Sequence, residues 1–381
     1  MTPRKVLMLI DSLLPGGAER FMVGLATNLP PERWEVTVCT TRRAEGPMAA
    51  ELEDAGLRHV TLGRSGRFDV APFARLVGLL RRERFDVLHA HKFGSNLWGT
   101  VFGRLTRTPV VVAHEQTWSY EGNRVRVLLD GRVIGRMADV MVAVSTRDQE
   151  RMTSVEGVPP HKTAFIPNAF LPPAGEAADG DLRAELGIRA DVPVVGTLAV
   201  LRPQKAIDVL IDAFAEARRA IPEAELVIAG YGPMEEAWRA HAAELGLDRV
   251  HWLGRRSDQL VVLGGLDVAV MSSDFEGTPL FAFECMASRT PMVATDVGGL
   301  RDIFEDGVSG MLVLPRDPAA MATAIEALLR DPERRDAMAG AAYERMSDFT
   351  IERAVERFEE LYGRLLAAKG IPAPNPLPAR A

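Results

Sequence analysis

Short apolar or β-branched runs recur along the chain, and stretches with helical spacing fill the gaps between them. The runs are KVLMLID (5–11), EVTVCT (35–40), RHVTL (58–62), DVLHAH (86–91), PVVVAH (109–114), DVMVAVS (139–145) and TAFIP (163–167). Residues 168–182 break the rhythm with Pro, Gly and Ala and read as a linker. The alternation resumes with PVVGTLAV (193–200), ELVIAG (225–230), RVHWLG (249–254), DVAVMSS (267–273), PMVATD (291–296) and GMLVL (310–314). Continuous apolar strands alternating with helices predict parallel sheets covered on both faces. The expected fold is α/β, with two Rossmann-like, doubly wound domains over residues 1–170 and 183–345, facing a cleft. Ligands of such sheets bind beyond the carboxyl ends of the strands. Helices are expected at 331–344 and 348–368; the second is amphipathic through Ile351, Ala354, Phe358, Leu361 and Leu365 and is expected to pack back on the first domain. The proline-rich end, 369–381, reads as disordered.

The most informative stretch follows the run 267–273. It passes through the turn Glu276-Gly277-Thr278-Pro279 into an apolar helix carrying Glu284. A helix start presents free N–H groups and partial positive charge, which suits a phosphate. A carboxylate beside a bound anion is suited to accept hydrogen bonds from hydroxyls of a ribose or sugar ring. Two arbitrary glutamates would more often be solvated surface charge. Here Phe275, Leu280, Phe281, Phe283, Cys285 and Met286 surround them, and buried carboxylates need partners or a ligand.

Other strand ends carry further candidates. Gly16-Gly17 opens a helix after the first strand, allowing close backbone approach to a ligand. Lys205, read as the start of the helix KAIDVLIDAFAEARRA, and Arg202 could neutralise a diphosphate. His91 and His114 end runs that are expected to be neighbouring strands, with His89 in the same run as His91. No His-x-x-x-His spacing or cysteine cluster occurs, so no metal site is expected.

Composition narrows the class. The chain has 381 residues, 47% hydrophobic and 25% charged, which suits two globular domains. Cys39 and Cys285 lie in apolar contexts and read as core residues in a reducing cytoplasm. No apolar run reaches the length of a membrane span, and residues 1–10 read as a strand rather than a signal peptide. The net charge of −7 is uneven: residues 1–170 carry 23 Lys/Arg and 18 Asp/Glu, the remainder 22 and 34. Arg75, Arg81, Arg82 and Arg84 lie on one amphipathic helix, which is either an ordinary solvated face or one that rests on an anionic membrane. No strongly basic domain with interleaved aromatics appears, which argues against nucleic-acid binding.

Taken together, these motifs resemble a retaining glycosyltransferase of family 4, with GT-B architecture, over roughly residues 5–367. The most specific match is EGTPLFAFECMASRTPMVATDVGGLRDIFEDGVSGMLV, similar to the family's paired-glutamate signature. PGGAER, LHAH, VAHE, AVSTRDQERM, FIPN, RPQK, VIAGYGP and WLGRRSD add support. The resemblance implies that Glu276 contacts the donor sugar and Glu284 the nucleotide ribose. It implies a diphosphate-facing tip at Gly277, Thr278, Pro279 and Leu280, a diphosphate lysine at Lys205, and a base-bordering loop at Gly254 and Arg255. Gly16 and Gly17 would border the donor, and His91 and His114 the transferred sugar and acceptor. Val200 stands where an arginine is common, Ala206 and Ala169 where glycines are, Tyr231 where an aspartate is, and Asp302 where a glutamate is. These departures suggest an altered donor or subfamily.

The expected activity is transfer of a hexosyl-type group from a UDP- or GDP-linked sugar to a hydroxyl acceptor, with no cofactor. A lipid-linked acceptor, a role in cell-surface polysaccharide or glycolipid synthesis, and a cytoplasmic place at the inner face of the membrane fit the basic first domain. Two alternatives stay open: a nucleotide-sugar 2-epimerase of the same architecture, and a non-catalytic nucleotide-binding partner subunit.

Overall fold

The computed structural model describes residues 2–14, 16–42, 47–66, 69–116, 123–171 and 180–374. Most of the expected linker and residues 375–381 lie outside the described residues; the start of the tail that was expected to be disordered is instead held, with Lys369 paired to Asp139 at 2.9 Å and the Pro372 carbonyl accepting from Arg4 at 2.9 Å. The chain divides into two compact units: residues 1–171 with 350–381, and residues 172–349.

The first unit holds β1 (Arg4–Ile10), β2 (Trp34–Arg42), β3 (Arg58–Arg64), β4 (Val87–His91), β5 (Val110–His114), β6 (Val140–Ala143) and β7 (Thr163–Phe165). They form one parallel sheet in the order β3-β2-β1-β4-β5-β6-β7. β4 and β5 are buried at every position, as strands covered on both faces must be. The helix Ile351–Ala368 belongs to this unit although it ends the chain. Thr350 caps it by accepting from the Arg353 N–H at 3.3 Å. Its Phe358, Tyr362 and Leu366 are fully buried in the core that also contains Phe21 and Trp34. Trp34 and Tyr362 meet edge to face with centroids 5.3 Å apart. Glu359 accepts from Trp34 Nε1 at 2.5 Å and pairs with Arg33 at 2.8 Å, which ties the helix to the start of β2.

The second unit holds β8 (Val194–Leu198), β9 (Glu225–Ala229), β10 (Val250–Gly254), β11 (Val268–Met271), β12 (Met292–Thr295) and β13 (Met311–Val313). Their order is β10-β9-β8-β11-β12-β13, again all parallel. In both sheets the strand order reverses beside the unit's first strand, between β1 and β4 and between β8 and β11. That reversal opens a crevice at the carboxyl ends, because the loops after the two central strands depart in opposite directions.

Every apolar run read as a strand is a strand. Two helix starts differ from expectation: the closing helix begins at Ile351 rather than 348, after a 3-10 turn at Met346–Phe349, and the helix expected from Lys205 also starts later. The latter begins at Ile207, and Pro203–Lys205 form a separate 3-10 turn. Ala206 divides the two in the left-handed conformation (φ 48°, ψ 44°), which breaks the helical hydrogen-bond ladder.

Phe358 fixes the closing helix to the first unit. Phe358→Ala should lower the unfolding free energy by about 3–5 kcal/mol. Urea unfolding followed by tryptophan fluorescence measures it; a loss under about 1 kcal/mol would show that the helix is not part of this core.

Candidate active site

In the second unit, the chain leaves β8 under tight backbone constraint. Gly230 has φ +141°, and a Cβ there would lie 1.8 Å from the Ala199 carbonyl oxygen. Leu201 N–H donates to the Tyr231 carbonyl at 2.9 Å, and Met234 N–H to the Leu201 carbonyl at 3.0 Å. The glycine turn after β9 therefore sets the path of residues 199–201. The 3-10 turn follows and delivers Lys205.

The loop after β11 meets that turn. Ser272 Oγ donates to the Lys205 carbonyl at 2.9 Å, and Asp274 N–H to the Gln204 carbonyl at 2.8 Å. Lys205 Nζ lies 2.6 Å from Glu276 Oε1, and Ser273 Oγ donates to the same oxygen at 2.7 Å. Thr295, at the end of β12, donates to the Ser273 carbonyl at 2.6 Å. Gly298 (φ +55°) packs so closely that a Cβ would lie 2.3 Å from the Glu276 carbonyl oxygen, and Gly299 N–H donates to the Gly277 carbonyl at 2.8 Å. A small, open recess lies here, with Thr197, Leu198, Lys205, Met271, Ser273 and Phe281 in its lining. The sequence suggested separate jobs for Lys205 and Glu276; the structure brings them into one ion pair.

The helix Leu280–Ala287 starts directly after Pro279, which has no N–H to offer, so the free amides of its first turn begin at Leu280. Thr278 is buried beside it, and Glu284 is half-buried one turn in. Gly254 ends β10 with φ +64°, and its carbonyl accepts from Gly230 N–H at 2.7 Å. Arg255 is exposed, with its guanidinium 5.6 Å from the Tyr231 ring centroid. Arg202 is exposed and makes no ion pair among the described residues, and Val200 gives its carbonyl to Arg202 N–H at 2.7 Å. Gly16 and Gly17 belong to the first unit, at the start of the helix Gly17–Asn28. Gly16 is extended (φ −172°), and a Cβ there would meet Glu19 Oε2 at 2.4 Å. Glu19 pairs with Lys92 at 2.7 Å, so a carboxylate of the chain already attends that helix tip.

His91 and His114 are register partners at the ends of β4 and β5, with ring centroids 5.0 Å apart. His89, two residues before His91, shares their face, its ring 4.1 Å from His91 and 5.3 Å from His114. All three are fully buried, under Phe21 (5.8 Å from His114) and Phe358 (5.0 Å from His89). The resemblance would have His91 and His114 border the transferred sugar and acceptor; within the first unit, aromatic rings cover all three histidines. Tyr362 Oη lies 2.6 Å from His89 Nδ1. The other five ring nitrogens have no hydrogen-bond partner among the described residues. Burial pushes His114 down to about 3 and holds His89 and His91 well below the usual imidazole range, so the cluster is neutral at pH 7. One ligand nitrogen from each ring lies within 4.8 Å of the others, a grouping that could hold a cation. Linear spacing was the wrong test for such a grouping, since it arises from strand pairing rather than from one helix.

Comparison with known proteins decides the class. Residues 179–345 match the family described as Glycosyl transferases group 1, and residues 15–170 match Glycosyltransferase Family 4. A D-inositol 3-phosphate glycosyltransferase of Thermobispora bispora is 30% identical over 393 residues, covering 92% of this chain and 90% of that protein. The chain belongs to the GT-B glycosyltransferases. An alpha-D-kanosaminyltransferase of Streptomyces kanamyceticus is 30% identical over 68% of the chain and 72% of its own length. Anabaena HepE, solved in complex with UDP, superposes with a TM-score of 0.81 at 22% identity, over 94% of this chain and 99% of that one. Sucrose-phosphate synthase of Thermosynechococcus elongatus gives a TM-score of 0.75 at 22% identity, over 96% and 100%.

The first unit of this glycosyltransferase also holds a buried charged group that the sequence did not reveal. Arg126 reaches Glu115 at 3.2 Å and Asp130 at 3.4 Å, and lies 4.4 Å above the Phe93 ring. Burial raises the Glu115 carboxyl, with Glu156 adding to the rise and Arg126 opposing it. Asp148 sits in the first turn of the helix Thr146–Ser154, where its N–H is capped by Ser145 Oγ at 2.9 Å. Burial pushes Asp148 up to about 6, and Ser145 and Arg151 oppose the rise.

A raised carboxyl favours the fold while protonated, so its contribution is full below the unfolded pKa near 4 and is lost as pH rises through about 6. Asp148→Asn should therefore match the wild type in thermal stability near pH 4 and exceed it above pH 7 by on the order of 2 kcal/mol. A stability gap that stays flat with pH would contradict the buried-acid assignment.

Proposed function

We propose that the chain is a retaining family 4 glycosyltransferase that moves a sugar from a UDP- or GDP-linked donor to a hydroxyl acceptor. The observation that carries the reading is the Lys205–Glu276 contact of 2.6 Å at the carboxyl end of the second sheet's switch point. A cation and a hydroxyl-accepting carboxylate stand side by side at the place where such sheets bind ligands. The complexes of HepE with UDP and with UDP-glucose support testing uridine donors first.

The leaving group is a nucleoside diphosphate, and its departure is easier if the charge growing on its oxygen is met by positive groups already in place. In this reading Lys205, Arg202 and the helix tip running from Gly277 and Thr278 past Pro279 to Leu280 supply them, so no divalent ion or cofactor is required. Glu276 accepts from the sugar's hydroxyls and aligns the anomeric carbon. Glu284 accepts from the ribose, while Gly254 and Arg255 border the base. His91 and His114, neutral and covered, are not placed to deliver protons as acids; in this reading they shape the strand ends that border the sugar and acceptor. The acceptor attacks the face that the diphosphate leaves, and the departing phosphate oxygen takes its proton, giving retention. A lipid-linked acceptor for cell-surface polysaccharide or glycolipid synthesis suits the exposed Arg75, Arg81, Arg82 and Arg84. No helix among the described residues is long and apolar enough to cross a membrane, and we place the chain in the cytoplasm, at the inner membrane face.

Nucleoside diphosphates should raise the melting temperature, and the sugar donor of the stabilising one should be turned over only with an acceptor present. Lys205→Ala should lower kcat/KM by about 10²–10³-fold. Glu284→Ala should weaken nucleotide binding by about tenfold. Conversion of the donor alone to an epimer would replace the transferase reading with an isomerase. Nucleotide binding without turnover of any donor would make the chain a partner subunit.

A further inference from the structure

Glu276 has two carboxylate oxygens, and both of its donors converge on one. Lys205 Nζ lies 2.6 Å from Oε1 and Ser273 Oγ lies 2.7 Å from the same atom. Among the described residues nothing donates to Oε2. The two donors differ in how firmly they are held. Ser273 is fully buried, and its carbonyl is fixed by Thr295 at 2.6 Å. Lys205 reaches Oε1 through a long side chain that remains 21% exposed and lines the recess. One donor is anchored and the other is free to leave.

We propose that Ser273 is the positioning residue of Glu276, and that Lys205 exchanges from Glu276 to the donor diphosphate when it binds. The proposal rests on the donor reading above. A diphosphate brings more negative charge than one carboxylate, so an ammonium able to reach both redistributes toward the phosphates. Oε1 then keeps only the Ser273 hydrogen bond. That bond holds the carboxylate plane and leaves Oε2 for a sugar hydroxyl. Before donor arrives, Lys205 neutralises the carboxylate; afterwards Glu276 is a full acceptor in a fixed orientation. Recognition of the sugar is thereby made conditional on the diphosphate.

Three variants test this, with uridine diphosphate as the probe, or guanosine diphosphate if that is the one the wild type binds. Ser273→Ala should lower kcat by about ten- to a hundredfold, because an unanchored carboxylate loses its alignment. Its dissociation constant for the nucleoside diphosphate should stay within about twofold, because no phosphate contact is removed. Ser273→Thr, which keeps the hydroxyl, should recover most of the lost kcat. Glu276→Gln should lose turnover yet bind the sugar-free nucleoside diphosphate about three- to tenfold tighter, because Lys205 no longer has a charged competitor. An unchanged kcat in Ser273→Ala, or equal losses in kcat and nucleotide affinity that Thr does not rescue, would overturn the positioning role. Unchanged or weaker nucleotide binding by Glu276→Gln would overturn the exchange, and does not depend on how Ser273→Ala folds. Failure of the wild type to bind either diphosphate would overturn the donor reading itself.

Discussion

Two hydrogen bonds to a single carboxylate oxygen organise the second unit's site. Lys205 and Glu276 are 71 residues apart in the chain, and each is brought to the other by backbone rather than by side chain. On the lysine side, the Gly230 turn sets the path after β8, while Ser272 and Asp274 hold the carbonyls of Lys205 and Gln204. On the glutamate side, Gly298 and Gly299 press on the backbone of Glu276 and Gly277. Removing two charges from water has a cost that their attraction need not recover, and exposed pairs are worth about 0–1 kcal/mol. Such an arrangement is better explained by what it does with a ligand than by stability. Ala206 points the same way: a left-handed alanine costs about 1–2 kcal/mol, and here it ends the turn that presents Lys205.

Both sheets follow one geometric rule with different chemistry. Parallel strands buried on both faces leave polar groups room only at their ends, and each unit concentrates them at its carboxyl edge. The second unit places a cation beside a carboxylate there. The first places three neutral imidazoles at the ends of β4 and β5, with Glu115 immediately after His114. Aromatic cover from Phe21 and Phe358 removes water from the imidazoles and keeps them uncharged. Cys39 shows the same effect, with burial pushing its thiol up to about 12, as expected of an inert core residue.

The architecture was legible because a doubly covered strand needs a continuous apolar run, and every such run became a strand. The glutamate signature was legible too, because a turn rich in small residues before an apolar helix is a local pattern. What stayed hidden was non-local. KAIDVLIDAF reads as one helix from its first lysine, since alanine at 206 does not itself signal a left-handed break; the glycine common at that position in the resembling family was the one available hint. The triple grouping of His89, His91 and His114 depends on β4 pairing with β5 in a register that places His91 opposite His114. Arg126 with Glu115 and Asp130, and the buried Asp148, carry no local pattern that singles them out before the fold covers them. The Lys205–Glu276 pair needs both the switch-point topology and the 3-10 turn, and neither is written in either segment alone.

The most direct test of the account is a crystal structure with the cognate nucleoside diphosphate sugar bound. The account predicts the diphosphate at the carboxyl ends of β8 and β11, with Lys205 Nζ on a phosphate oxygen, Ser273 still bonded to Glu276 Oε1, and a sugar hydroxyl on Oε2. A diphosphate bound elsewhere, with the 2.6 Å Lys205–Glu276 contact intact, would contradict it.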